Sequence, residues 1–162
     1  MSSVLSSFFR QRMPLGWVAL LRLFLGVMFT LYGYQKVFAE PFAPGLGGLL
    51  TKWTEGMHIA WYKSFLLNTA IPNAHLFGWL VAWGEFLVGI AFLLGALTRL
   101  AAAAALFMNL NYLLATWHMG PPSQGVNLSF LMMEFVVLAT AAGRALGVDA
   151  WLSRKWRKVP LW

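Results

Sequence analysis

Cysteine is absent from the 162 residues. That excludes disulfides, a thiol relay, thiolate nucleophiles and cysteine-ligated iron–sulfur clusters in this chain. Acidic residues are scarce: five, against twelve Lys and Arg, for a net charge of +7. Only 10 % of the residues are charged, while 60 % are hydrophobic. A soluble domain carries about 25 % charged and roughly 45–50 % apolar residues, and a soluble fold this small has too little interior to hide the excess. No glycine-rich phosphate loop or nucleophilic triad is visible. His58, His75 and His118 match no metal- or haem-ligand spacing, so no metal is expected.

What is present is long apolar runs. A spanning helix needs about 20 mostly apolar residues. Four stretches qualify, at about 15–38, 76–97, 100–117 and 128–148. Pro14 precedes the first, where a helix start tolerates proline. Gly120-Pro121-Pro122 ends the third. Thr98 and Arg99 alone join the second to the third, as a tight helical hairpin. The expected architecture is all-α: an integral membrane four-helix bundle forming one domain over residues 1–162. Val37-Phe38-Ala39 resembles a signal cleavage site, but the first apolar run is too long for a typical signal and reads as a retained span.

Lys and Arg are retained on the cytoplasmic side. Arg10, Arg12, Arg99, Arg144, Arg154, Lys155, Arg157 and Lys158 fall on one side, and Lys36, Lys52 and Lys63 on the other. The split of eight to three predicts a multi-pass protein of the inner (cytoplasmic) membrane with both termini cytoplasmic. The basic, tryptophan-bearing run from Trp151 to Lys158 suits a surface of anionic lipid. The bilayer rather than nucleic acid therefore accounts for the positive charge.

The 39–75 connection is expected outside. It opens with Pro41, Pro44, Gly45, Gly47 and Gly48 as turn residues. Leu46, Leu49, Leu50, Trp53, Met57, Trp61 and Leu66 then recur at helical spacing, weakened at Gly56 and closed by 68–73. This is either an outer interfacial helix or a lid over a site between the spans.

Polar residues within spans are costly and should face the bundle interior. Arg22, Gly26, Phe29, Gly33 and Lys36 share one seam, and Gly78, Ala82, Glu85, Gly89 and Phe92 a matching one. The glycines permit close backbone approach. Met108, Asn111, Ala115 and His118 share a face of the third span beside Asn109, and Asn127, Glu134, Leu138, Ala141 and Ala145 a face of the fourth. Depth along the helices, at about 1.5 Å per residue, pairs Arg22 with Glu85 and Lys36 with Glu134.

The order of short motifs is similar to a known family. These are Arg22-x-x-x-Gly26, Gly33-Tyr34-Gln35-Lys36, Gly84-Glu85, Gly95-Ala96-Leu97-Thr98-Arg99, Met108 to Tyr112, Glu134, and Gly143 to Asp149. Together they resemble the DoxX/DoxD family of four-helix membrane proteins over nearly the whole chain. The long outer segment with its tryptophans is closer to the DoxD branch, the large subunit of thiosulfate:quinone oxidoreductase. That resemblance implies a quinone acceptor and a small oxyanion donor. Arg22, Lys36 and His118 are then candidate donors to an oxyanion or quinone carbonyl, and Glu85 and Glu134 candidate proton carriers. Asn111 and Tyr34 are candidate ligand contacts beside His118. Two functions stand: a redox subunit passing electrons from a sulfur compound to quinone, or a non-catalytic subunit anchored among other membrane subunits of a respiratory or photosynthetic complex. In the second, the buried charges serve only to hold the bundle together.

Overall fold

The computed structural model describes residues 15–39 and 42–156. Pro14, Pro41 and the basic residues Arg10, Arg12, Arg157 and Lys158 lie outside them. Among the described residues the chain is all helical. Helix α1 (Leu15–Tyr34) continues through a π-helical turn, Gln35–Ala39. Then follow α2 (Phe42–Glu55), α3 (Ala60–Phe65) with a π-helical extension Leu66–Ala70, and α4 (Ala74–Leu94). Helices α5 (Thr98–Thr116), α6 (Pro121–Thr140) and α7 (Val148–Lys155) complete it.

Four of these elements are long and apolar enough to span a membrane: Gly16–Ala39, Ala74–Leu94, Thr98–Met119 and Pro121–Thr140. They run up and down as an antiparallel bundle. The chain is thus a multi-pass membrane protein. One end, the capped end, is covered by α2 and α3. The other, the basal end, gathers the α4–α5 turn, the 141–147 turn and α7.

Small residues set the closest packing. A Cβ on Gly33 would strike the Phe86 backbone, and one on Gly89 the Thr30 backbone, so α1 and α4 meet nearly backbone to backbone. Gly26 meets Leu93 in the same seam. Without a hydrophobic drive inside lipid, such close approach is the main source of attraction between helices. Ala101, Ala102 and Ala105 bury the face of α5 beside Leu25, Phe29, Val88, Phe92 and Val137.

Three sequence expectations are corrected. The fourth span is Pro121–Thr140, not 128–148. Two prolines at its first positions start the helix, since neither needs a backbone N–H there, and Ala141, at φ 49°, ends it. The hairpin turn lies at Gly95–Leu97 rather than Thr98–Arg99, because Gly95 takes the left-handed conformation at φ 62°. In the cap, Pro44, Gly45, Gly47 and Gly48 lie within α2, which starts at Phe42. Pro44 is tolerated because it sits in the first turn. The helix breaks at Gly56 and resumes at Ala60 in a different phase. Trp61 therefore faces out and Tyr62 goes in, joining Leu46, Leu50, Met57 and Leu66.

Gly33→Ala should cost about 1–3 kcal/mol through overpacking. Val27→Ala, at an exposed position on the same helix, should cost a few tenths of a kcal/mol. Thermal unfolding of the two variants in detergent would compare them, and equal midpoints would contradict the seam.

Candidate functional site

Two separate polar centres form, and neither has the pairing that helix depths suggested. At the basal end Arg22 is fully buried. Its Nη1 donates to the carbonyls of Ala142 (3.1 Å) and Ala145 (3.0 Å), and Nη2 to that of Leu146 (3.2 Å). These carbonyls belong to the turn where α6 ends, natural acceptors for a guanidinium, and Ala142 O also accepts the Ala145 N–H at 3.2 Å. Arg22 is therefore not the partner of Glu85. Its side chain turns toward the basal end, where backbone carbonyls accept from both of its terminal nitrogens. Asp149 completes this knot. Its carboxylate accepts the N–H of Leu97 (2.8 Å) and of Thr98 (2.9 Å) at the start of α5, while its own N–H donates to Gly95 O (2.9 Å). A carboxylate at a helix N-terminus suits the dipole. Gly95, Gly143 and Gly147 leave just the room that Arg22, Thr98 and Asp149 occupy.

Nearer the capped end, Lys36 pairs with Glu85, not Glu134. Nζ donates to Oε1 at 2.6 Å and Oε2 at 2.7 Å. The Tyr112 hydroxyl donates to the same Oε1 at 2.5 Å and lies 3.4 Å from Nζ. The Lys36 ammonium also sits over the rings of Phe42 (4.8 Å) and Tyr112 (5.4 Å), a cation–π arrangement. The π-helical turn after Tyr34 carries Lys36; such turns re-aim side chains and recur at functional sites. Glu85 sits between Ala82 and Gly89 on the buried face of α4. Glu134 is fully buried, and its Oε1 accepts from Asn109 Nδ2 at 2.5 Å. Its Oε2 has no hydrogen-bond partner among the described residues.

Two cavities flank the Lys36–Glu85–Tyr112 cluster. One, of about 480 Å³, lies beneath α2 and α3 and has walls from Phe42, Trp53, Tyr62, Phe65, Phe77, Phe107 and aliphatic neighbours. Lys36, Tyr112 and Asn111 reach it, as does a polar edge of Thr116, Ser123 and Asn127. The second, of about 210 Å³, lies toward α1 and α6 and is lined by Phe29, Tyr32, Glu85, Asn109, Asn127 and Phe130, with Lys36 and Tyr112 again. Glu85 reaches the second cavity alone, whereas Lys36 and Tyr112 reach both.

The cap is latched from within. The Tyr62 hydroxyl donates to Asn111 Oδ1 at 2.9 Å, and burial pushes the phenol up to about 12. Asn111 Nδ2 donates to Phe107 O, so the amide is satisfied by the fold even though it lines the large cavity. Of the remaining sequence candidates, Tyr34 faces outward and stacks on Phe38 at 5.1 Å. His118 packs against Gly56 and lines neither cavity. Arg22 and Glu134 line neither. Among the described residues no group of three or more His, Asp or Glu is placed to hold a metal ion.

Tyr112 is a participant outside the residues expected from the sequence. The signal was available: a phenol in a spanning helix must find a polar partner, and Tyr112 stands one turn from both Met108 and Ala115 on the interior face. Lys36→Met or Glu85→Gln alone should cost near the lower end of the roughly 3–5 kcal/mol lost when a buried pair loses one member. The double variant should cost less than either. A thermal or chemical unfolding cycle measures this, and additive losses would contradict the pairing.

No solved structure matches this chain. The family model DoxX matches residues 17–119, more than half the sequence, from the start of α1 to the end of α5. That stretch contains the glycine seam, the cap, and Lys36, Glu85 and Tyr112. The chain belongs to the DoxX family.

Proposed function

We propose that this protein is a quinone-binding membrane subunit of an electron-transfer system, of the DoxD type, with a reduced sulfur oxyanion such as thiosulfate as electron source. The observation that carries the reading is the cavity of about 480 Å³ under the cap, with aromatic walls and Lys36 and Tyr112 on its floor. Ligand sites of this kind are mostly apolar, with a few placed polar groups. A quinone ring fits them: flat faces for Phe42, Tyr62 and Phe65, and carbonyl acceptors for a cation. Lys36 spends two of its protons on Glu85, and the third meets Tyr112 only at 3.4 Å. That third proton is the one available to a carbonyl in the cavity. A quinone, when bound, supplies a two-electron, two-proton acceptor. Glu85, hydrogen-bonded to both Lys36 and Tyr112, is positioned to hold a proton behind them, and the cap excludes water from the ring.

The DoxD assignment also draws on the long outer segment with its tryptophans, which here forms the cavity roof. A second reading keeps one observation of its own: α6 is the least buried of the four spans and exposes Met132, Phe135 and Leu128. That apolar face suits lipid or a neighbouring subunit, as an anchoring role requires.

Quinone should be recovered by solvent extraction of the purified protein, and added quinone should bind saturably. The Lys36→Met/Glu85→Gln double variant should fold and lose about tenfold in affinity, or 1.4 kcal/mol. Large membrane chains copurifying without quinone, and no saturable binding, would favour the anchoring role instead.

For orientation we propose both termini cytoplasmic in the inner membrane. Arg99, Arg144, Arg154 and Lys155 cluster at the basal end, with Lys36, Lys52 and Lys63 at the capped end. Single cysteines at Thr51 and Ser153, treated with an impermeant reagent in intact cells, should label at Thr51 only. The reverse pattern would refute this orientation.

A further inference from the structure

We infer that the large cavity opens sideways into the bilayer between α4 and α5, so that its ligand arrives from lipid and leaves a hydrocarbon tail there. This rests on the quinone reading above and adds the class of quinone the site takes: one carrying a long apolar tail.

Three observations support the opening. First, Phe77, Val81 and Phe107 line the cavity and lie within two of the spans. Phe77 and Val81 are partly exposed and Phe107 is 69 % exposed. The cavity wall is therefore also lipid-facing surface. Second, the other sides are more closely packed. Buried Leu46, Leu50 and Leu66 underlie the roof, and Phe65, 38 % exposed, meets Phe77 edge-on at 6.3 Å at the rim of the window. On the α6 side the Ser123 hydroxyl is bonded to that of Thr116 at 2.7 Å. Toward α1, Lys36 and Tyr112 stand between the two cavities, tied to Glu85. An apolar tail passing that way would have to break the Lys36–Glu85 ion pair. Third, α4 and α5 close again below the opening, where a Cβ on Gly84 would lie 3.3 Å from Met108 Sδ. The gap is thus a bounded window at the level of the polar floor.

A water-soluble ligand has no hydrated route to such a window, whereas a lipophilic one is concentrated beside it. Once the ring lies against Lys36, a tail can stay in lipid without crossing the cap.

The full-length protein in nanodiscs should be titrated with decylubiquinone and with the tailless ubiquinone ring. Val81→Trp narrows the window. It should weaken decylubiquinone binding about tenfold more than it weakens binding of the tailless ring, because only the tail also loses its path. Leu87→Trp, on the lipid face of α4 away from the cavity, should change neither. Equal effects on both ligands in Val81→Trp would overturn the window. A quinone with a photoreactive group on its tail gives an independent reading on the unaltered protein. Labelling of peptides containing Val81 or Phe107 supports the window, and labelling around Tyr32, Val126 or the cap overturns it. Failure of the wild type to bind either quinone would instead overturn the quinone reading itself.

Discussion

A lysine and a glutamate in the interior of a bilayer-spanning bundle constrain everything around them. A lone charge there costs at least roughly 2.5–3.5 kcal/mol on insertion scales, so each must stay within hydrogen-bond reach of the other. Lys36 does so only because α1 and α4 approach backbone to backbone at Gly33 and Gly89. The glycines are thus needed twice, for packing and for bringing the charges together. Tyr112 ties the pair to α5, so three spans converge on one carboxylate. The cavities on either side follow from that convergence, since a cluster of long polar side chains cannot pack as tightly as the leucine and alanine layers beneath it.

The basal knot answers the same constraint in another way. Among the described residues Arg22 donates to no carboxylate, although Asp149 shares its knot. Its guanidinium takes three carbonyls of the turn where α6 stops, while Asp149 caps the start of α5. The turn after α6, the turn before α5 and the first residues of α7 are held as one unit. One end of the bundle is therefore fixed by a dense hydrogen-bonded cluster around Arg22 and Asp149. The other holds an ion pair, a lysine N–H whose further contact is Tyr112 Oη at 3.4 Å, and open volume under a cap latched by Tyr62 and Asn111.

The sequence made the spans, the interior faces and the small-residue seams legible, because periodicity and glycine spacing report directly on helix contacts. Gly78, Ala82, Glu85, Gly89 and Phe92 are all buried on one face of α4. The charge partners were not legible. Helix depth alone cannot say which way an arginine side chain points, and the acceptors for Arg22 are backbone carbonyls, which no inventory of side chains contains. The fourth span was displaced because Ala141 to Val148 is as apolar as a helix, while Gly-Pro-Pro-Ser-Gln-Gly at its true start reads as a loop. The cap's phase was lost at Gly56, where a short break reverses which aromatic goes inside. Of the polar cluster, helical periodicity points to Lys36 and Glu85 but not to each other as partners, and the phenol of Tyr112 carries no charge to mark it.

The central claim is that Lys36 and Glu85 form the ion pair at the heart of the site. Solid-state NMR on protein in lipid, with 15N at lysine Nζ and 13C at glutamate Cδ, tests it directly. The account predicts a strong dipolar coupling at Lys36 that vanishes in Glu85→Gln and survives in Glu134→Gln. A coupling that survives Glu85→Gln and is lost in Glu134→Gln would contradict it.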